Sequence, residues 1–155
     1  MPERCQSVIY DDRCEVFLWP VVKDNDNINL DEQTYYAFEV NRDGRALLSK
    51  TQFHRKFDFE WNGKYDGAMI LQAENSSDTA DSYEIFLLRI YRNDVGMSDS
   101  NRNEGQEFRI GLHRGMAIRK EEDINGDMAW ASWVNPADDL VDFHRPEMFG
   151  TLSLN

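Results

Sequence analysis

From Cys14 to Trp19 apolar and polar positions follow a period of two. Cys14, Val16 and Leu18 fall on one face, and Glu15, Phe17 and Trp19 on the other. Large apolar residues on both faces mark a strand inside a sheet, and Pro20 ends it because proline has no N–H for the ladder. The loop before it, Tyr10-Asp11-Asp12-Arg13, sets an aromatic beside hydrogen-bonding groups at the mouth of a rigid strand, where ligand sites tend to lie. Tyr35 to Val40 is a second strand, dense in aromatic and β-branched residues. Asn41 to Gly44 is a turn, since Asp43-Gly44 supplies the positive φ of a tight hairpin, and Arg45 to Ser49 is the returning strand. Phe57 to Trp61 alternates aromatic with acid and predicts a strand with one buried and one wet face. Gly67 to Gln72 is a short strand. In Ser82 to Tyr91 helix and strand compete, and the β-branched and aromatic content favours a buried strand. Glu107 to Arg114 puts Phe108, Ile110 and Leu112 on one face. Met128 to Trp133 and Phe149 to Leu154 complete the series.

The sum is an all-β chain: an antiparallel β-sandwich, jelly-roll-like or with immunoglobulin-like layers. At 155 residues it is expected to be a single domain over 1–155 with a real core, and no internal repeat or second domain is visible. The net charge of −12 argues against nucleic acid and anionic membrane as partners. No apolar run is long enough for a transmembrane helix, and Met1 to Gln6 has no apolar core of a signal peptide. Two cysteines, Cys5 and Cys14, make no disulfide framework and no zinc pair. Lys23 to Glu32 is rich in oxygen ligands, so calcium is one reading, but the sharp-turn glycine of a helix-loop-helix site is absent and a hairpin excursion is the plainer one. Asn75-Ser76-Ser77 fits a glycosylation acceptor, a pattern common by chance.

Catalysis has no positive signal. There is no phosphate-binding glycine loop, no Gly-x-Ser-x-Gly elbow and no His-Glu-x-x-His pair, and His54, His113 and His144 are scattered. The carboxylates are too many for a glycosidase pair to be picked by spacing. The aromatics say more. Tyr10, Trp61, Trp130, Trp133 and Phe143 lie near strand ends or loops. Sugar rings offer apolar C–H faces to such rings, while their hydroxyls want Asp, Asn, Arg or His beside them. Trp130 and Trp133 face opposite ways along their strand, so one at most joins the main core layer. Trp61 and Trp130 are expected in the core.

Three segments together resemble the family 9-like carbohydrate-binding modules, a β-sandwich group near the DOMON-like fold. They are Ser7 to Pro20 with its Glu15-Val16-Phe17; Tyr35-Tyr36-Ala37-Phe38-Glu39-Val40-Asn41 with Gly44; and Trp133-Val134-Asn135-Pro136 followed by Asp142-Phe143-His144-Arg145-Pro146-Glu147-Met148-Phe149-Gly150. Arg109 to Arg114 lies between them, and the likeness spans nearly all of the chain. It implies a non-catalytic module that holds a mono- or oligosaccharide between two aromatics, with Ile9 (and Tyr10 beside it) and Phe143 at the matching positions. Stacking would come from Tyr10, Trp133 and Phe143, and hydroxyl hydrogen bonds from Asp12, His144 and Arg145. No cofactor is implied. Family members carry several strands before the Ser7-like segment, whereas six residues precede it here. The expectation is therefore an N-terminally truncated sandwich with an open edge that offers pairing to another chain and with uncovered apolar surface, extracellular if the missing part holds a signal peptide. Two other readings stand beside it. One is a haem-binding electron-transfer domain of the DOMON-like relatives, with Met116, Met128, Met148, His113 and His144 as available ligands. The other is a scaffold that binds nothing.

Overall fold

A computed structural model of the chain describes residues 8–21, 27–53, 55–74, 82–96, 107–118, 127–133 and 142–152, with the side chains of 67–74, 82–84 and 127 left aside. The strands are β1 (Arg13–Pro20), β2 (Thr34–Asn41), β3 (Ala46–Gln52), β4 (Lys56–Asp58), β5 (Tyr65–Glu74), β6 (Ser82–Ile90), β7 (Phe108–Ile118), β8 (Asp127–Ser132) and β9 (Gly150–Leu152). Every pairing is antiparallel. A seven-stranded sheet runs β4-β3-β2-β1-β7-β8, with β9 also paired to β7, and β5 and β6 form a two-stranded sheet. The protein is an all-β sandwich of unequal layers. The segment in which helix and strand compete, Ser82 to Tyr91, is strand β6.

β1 is central, between β2 and β7, which is why both of its faces carry large side chains. On one face Leu18, Tyr36, Phe38, Val40 and Phe108 are buried, and Tyr65, Phe86, Leu88 and Ile90 of the β5–β6 hairpin pack over them. On the other face Phe17, Trp19, Tyr35, Ala37, Phe53 and Phe149 form a second core, with Ile28 and Phe143 against it. Each such aromatic taken out of water contributes about 1.5–3 kcal/mol. The Trp19 indole N–H, buried in this layer, donates to Gln33 Oε1 at 3.0 Å, so its polar end is not left unpaired.

The structure corrects three expectations of local form. The strand predicted over Phe57 to Trp61 is only β4, three residues long. Asp58 Oδ1 accepts a hydrogen bond from the Glu60 N–H at 3.0 Å, and this side-chain turn breaks the ladder. Phe57 and Phe59 consequently stack on each other, with centroids 5.4 Å apart, in place of a plain alternation of buried and wet faces. Trp61 is half-buried, packed on Tyr36 and Phe38 under the hairpin. Trp130 lies outside both core clusters. The calcium reading and His54 fall largely outside the described residues; within them, Asn29 caps the short 3-10 turn Leu30–Glu32.

Candidate functional site

The face of the large sheet away from the hairpin carries a cleft of about 480 Å³. Its floor is Arg13 and Glu15 of β1, Glu39 of β2 and Leu47 of β3. Ile9 closes one end, Trp130 and Phe143 form one wall, and Phe57, Phe59, Arg55, Asp142 and His144 complete the lining.

The strand register explains the floor. Glu15 lies directly opposite Glu39, a like-charge cross-strand pair that is destabilising by itself. Arg13, two residues along the same face, offsets it: its Nε lies 2.8 Å from Glu15 Oε1 and 3.2 Å from Glu39 Oε2. The three residues are 6%, 4% and 7% exposed, in the order Arg13, Glu15, Glu39. Arg13 also donates from Nη1 to the Ile9 carbonyl, and its guanidinium lies 4.8 Å from the Trp130 ring centroid. Burial raises both carboxyl pKa values, and with the neighbouring Glu15 charge it pushes Glu39 up to about 8. Two carboxyls facing one guanidinium therefore retain about one proton at neutral pH. Gly115, paired with Arg13 on β7, makes room for Trp130: a Cβ there would stand 3.1 Å from the indole ring.

His144 forms the other side. Its ring stacks on Phe17 with centroids 4.8 Å apart, and its Nδ1 lies 2.8 Å from the Tyr35 hydroxyl. Burial lowers the His144 pKa to about 4 and raises that of Tyr35, so both are neutral near pH 7. Tyr35 thus keeps its proton and donates it to Nδ1, backed by a side-chain hydrogen bond from Thr51, which is itself 3.2 Å from Ser49 Oγ. That assignment leaves the His144 proton on Nε2 as a donor. At the rim, Arg55 pairs with Asp142 Oδ1 at 2.6 Å, and the same carboxylate oxygen accepts from the His144 backbone N–H. Arg55 holds φ at 62°, an uncommon conformation for a side chain of that size.

Of the residues selected from the sequence, Phe143 and His144 line this cleft. Phe143 stacks on His113 at 4.3 Å and tilts against Trp130 at 5.0 Å. The other four lie outside the lining. Tyr10 is half-exposed beside it, and Ile9 takes the lining position. Asp12 ties the entry loop to β7, accepting from the Ala117 N–H at 2.8 Å, with Arg42 3.6 Å away. Trp133 is 59% exposed, and a Cβ on Gly150 would stand 2.7 Å from its ring. Arg145 pairs with Glu147 at 3.3 Å. The tryptophan that faces the cleft is Trp130, the one expected in the core. Of the haem candidates, Met116 projects from the opposite face of β7 to His113, whose register partner is Glu15. Among the described residues no group of three or more His, Cys, Asp or Glu is arranged to hold a metal ion.

A crystal structure shares this fold. It is that of a candidate carbohydrate-binding protein of Bacteroides uniformis, similar at a TM-score of 0.53 and 16% identity over 92% of this chain. The match spans 61% of the length of that protein. No family model and no curated protein sequence matches the chain. The likeness is one of fold, and the identity of the lining residues comes from this chain alone.

Sequence reasoning placed Arg13 in a candidate ligand loop but passed over Glu15, Glu39, Arg55, Phe57, Phe59 and Asp142 as site residues. One signal for them was present. Glu15 falls on the same face as Phe17 and Trp19, a charge placed in an apolar row, and buried charges require partners. Its partner, Glu39, sits in a similar row, on the face of Tyr35 and Ala37.

Proposed function

We propose that the cleft binds a saccharide without transforming it, as a module of the family 9-like kind. The observation that carries this is the combination of apolar ring walls, Trp130 and Phe143 facing Phe57 and Phe59, with a hydrogen-bonding floor of Glu15 and Glu39 and the His144 imidazole at its side. Aromatic faces suit the C–H surface of a pyranose, and fixed carboxyl oxygens suit its hydroxyls. The fold shared with a candidate carbohydrate-binding protein agrees with this reading. Hydrolysis does not suit the floor. Glu15 and Glu39 hydrogen-bond each other, whereas two-carboxylate hydrolysis places the glycosidic bond between its acid and its nucleophile or base.

The test is calorimetric titration with mono- and oligosaccharides. Trp130→Ala is expected to weaken binding about tenfold or more, taking the 1–3 kcal/mol of base stacking as a guide. Phe143→Ala is expected to lose affinity similarly, and also to lower the melting temperature, because Phe143 packs on the core as well as lining the cleft. Trp61→Ala, on the opposite face, is expected to cost about 3 kcal/mol of stability and leave affinity unchanged. Unchanged binding in Trp130→Ala and Phe143→Ala, or no sugar bound by the parent, refutes the assignment and leaves a scaffold without ligand.

A further inference from the structure

The cleft floor carries two carboxyls to one guanidinium, and Arg13 is already engaged through Nε and Nη1. Its Nε serves both carboxyls and its Nη1 serves the Ile9 carbonyl. Arg55, the other lining cation, is committed to Asp142 at the rim. What remains on the floor is a buried pair of carboxyls, Glu15 and Glu39, opposed across β1 and β2 with one guanidinium between them. Resting on the saccharide reading above, we propose that the sugar this cleft takes is an amino sugar, with its primary ammonium group seated against Glu15 and Glu39.

Three features favour this class over neutral or acidic sugars. First, an ammonium group brings the charge and the hydrogen-bond donors that the pair lacks, whereas a uronic acid would add a further carboxylate to a pocket already lined by Glu15, Glu39 and Asp142. Second, Trp130, Phe143, Phe57 and Phe59 surround the floor with aromatic rings, which attract cations, and Trp130 already carries the Arg13 guanidinium on its face. Third, the net charge of −12 raises the local concentration of cationic ligands and depletes anionic ones. In the empty cleft a proton takes the place of the ammonium, in keeping with the raised affinity of Glu39 for protons. The groups facing this pair are Arg13 on β1, His113 on β7, Arg55 beyond β3, and Asp142 and His144 on the segment leading to β9. Both histidines are neutral near pH 7, so the carboxyl pair is the group that exchanges the proton.

The experiment titrates the full chain at pH 7 with glucosamine, N-acetylglucosamine and glucose, and with their dimers, by calorimetry in phosphate and in MOPS buffer. The amine is expected to bind about tenfold or more tightly than its acetylated and hydroxyl counterparts. Its binding is expected to release up to about one proton per site, seen as a difference in heat between the two buffers. Glu39→Gln is expected to abolish the preference and the proton release together. Equal affinity for the three sugars, or an amine preference without proton release from the unmodified chain, overturns the inference and leaves the saccharide reading standing. An amine preference that survives in folded Glu39→Gln overturns it as well, because it would come from surface charge. Failure of all three sugars to bind removes the saccharide reading with it.

Discussion

At the scale of single residues the cleft floor sets how stability depends on pH. Burial, with the neighbouring Glu15 charge, lifts Glu39 to about 8, and burial lifts Glu15 as well, so the folded chain holds more protons on this pair than the unfolded chain above the usual carboxylate range. Their contribution to stability is present at low pH and is lost as pH rises through the folded value near 8. His113 and His144 act in the opposite sense. Burial lowers both to about 4, so the unfolded chain binds their protons first, and stability rises between about pH 4 and 6.5. The two effects offset each other up to about pH 6.5, and beyond it only the carboxyl pair still titrates. We expect stability from denaturant melts to peak near pH 6.5 and to fall by at most about 2 kcal/mol towards pH 8, since one proton is about 1.4 kcal/mol per pH unit. In Glu39→Gln the fall should flatten. A fall that persists in this variant would place its origin elsewhere.

At the scale of elements, glycines show which contacts tolerate change. Gly44 closes the β2–β3 turn at φ 76°, so Gly44→Val is expected to cost about 1 kcal/mol or more through strain. Gly111 lies under two buried rings. A Cβ there would stand 2.9 Å from both His113 Nε2 and the Phe149 ring, and neither can retreat from the core. Gly111→Ala is expected to cost about 1–3 kcal/mol as overpacking. A Cβ on Gly150 would meet the Trp133 ring at 2.7 Å, but that ring is largely in solvent and can turn aside, so Gly150→Ala is expected to cost less than Gly111→Ala. Thermal melts of the three variants check the order, and Gly150→Ala as damaging as Gly111→Ala would mean that Trp133 is held in place.

At the scale of the whole molecule the layers are unequal. The β5–β6 hairpin covers one part of the large sheet, at Phe108 and Ile110, and along the same face of β7 Leu112, Met116 and Ile118 are exposed, with Trp133 beside them. A row of this kind is a self-association liability. The chain is expected to associate with rising concentration in sedimentation velocity. Leu112→Glu together with Met116→Glu should reduce this, because Arg114 lies between them on the same face and the added charge is compatible with it. A parent that stays monomeric throughout, or a variant that associates equally, would exclude this face as the cause.

The sequence by itself determined what depends on neighbours along the chain. The two-residue period of β1, β2 and β7, the Asp43-Gly44 turn, the central place of β1 and the opposite facing of Trp130 and Trp133 all follow from local stereochemistry and side-chain alternation. Tertiary structure alone decided which face received a cover. The hairpin took the face of Leu18 and Phe38, and that left Trp130 and the charged residues of the other face to form a cleft. The pairing of Glu15 with Glu39 was equally a matter of register between strands separated by a long loop, and no periodicity within either strand encodes it. The stacking of Phe57 on Phe59 depended on the Asp58 side chain taking a backbone hydrogen bond from Glu60 in place of strand pairing. Alternation along a strand assigns each side chain to a face, but the partners it meets there are set by which strands lie beside it and what packs above.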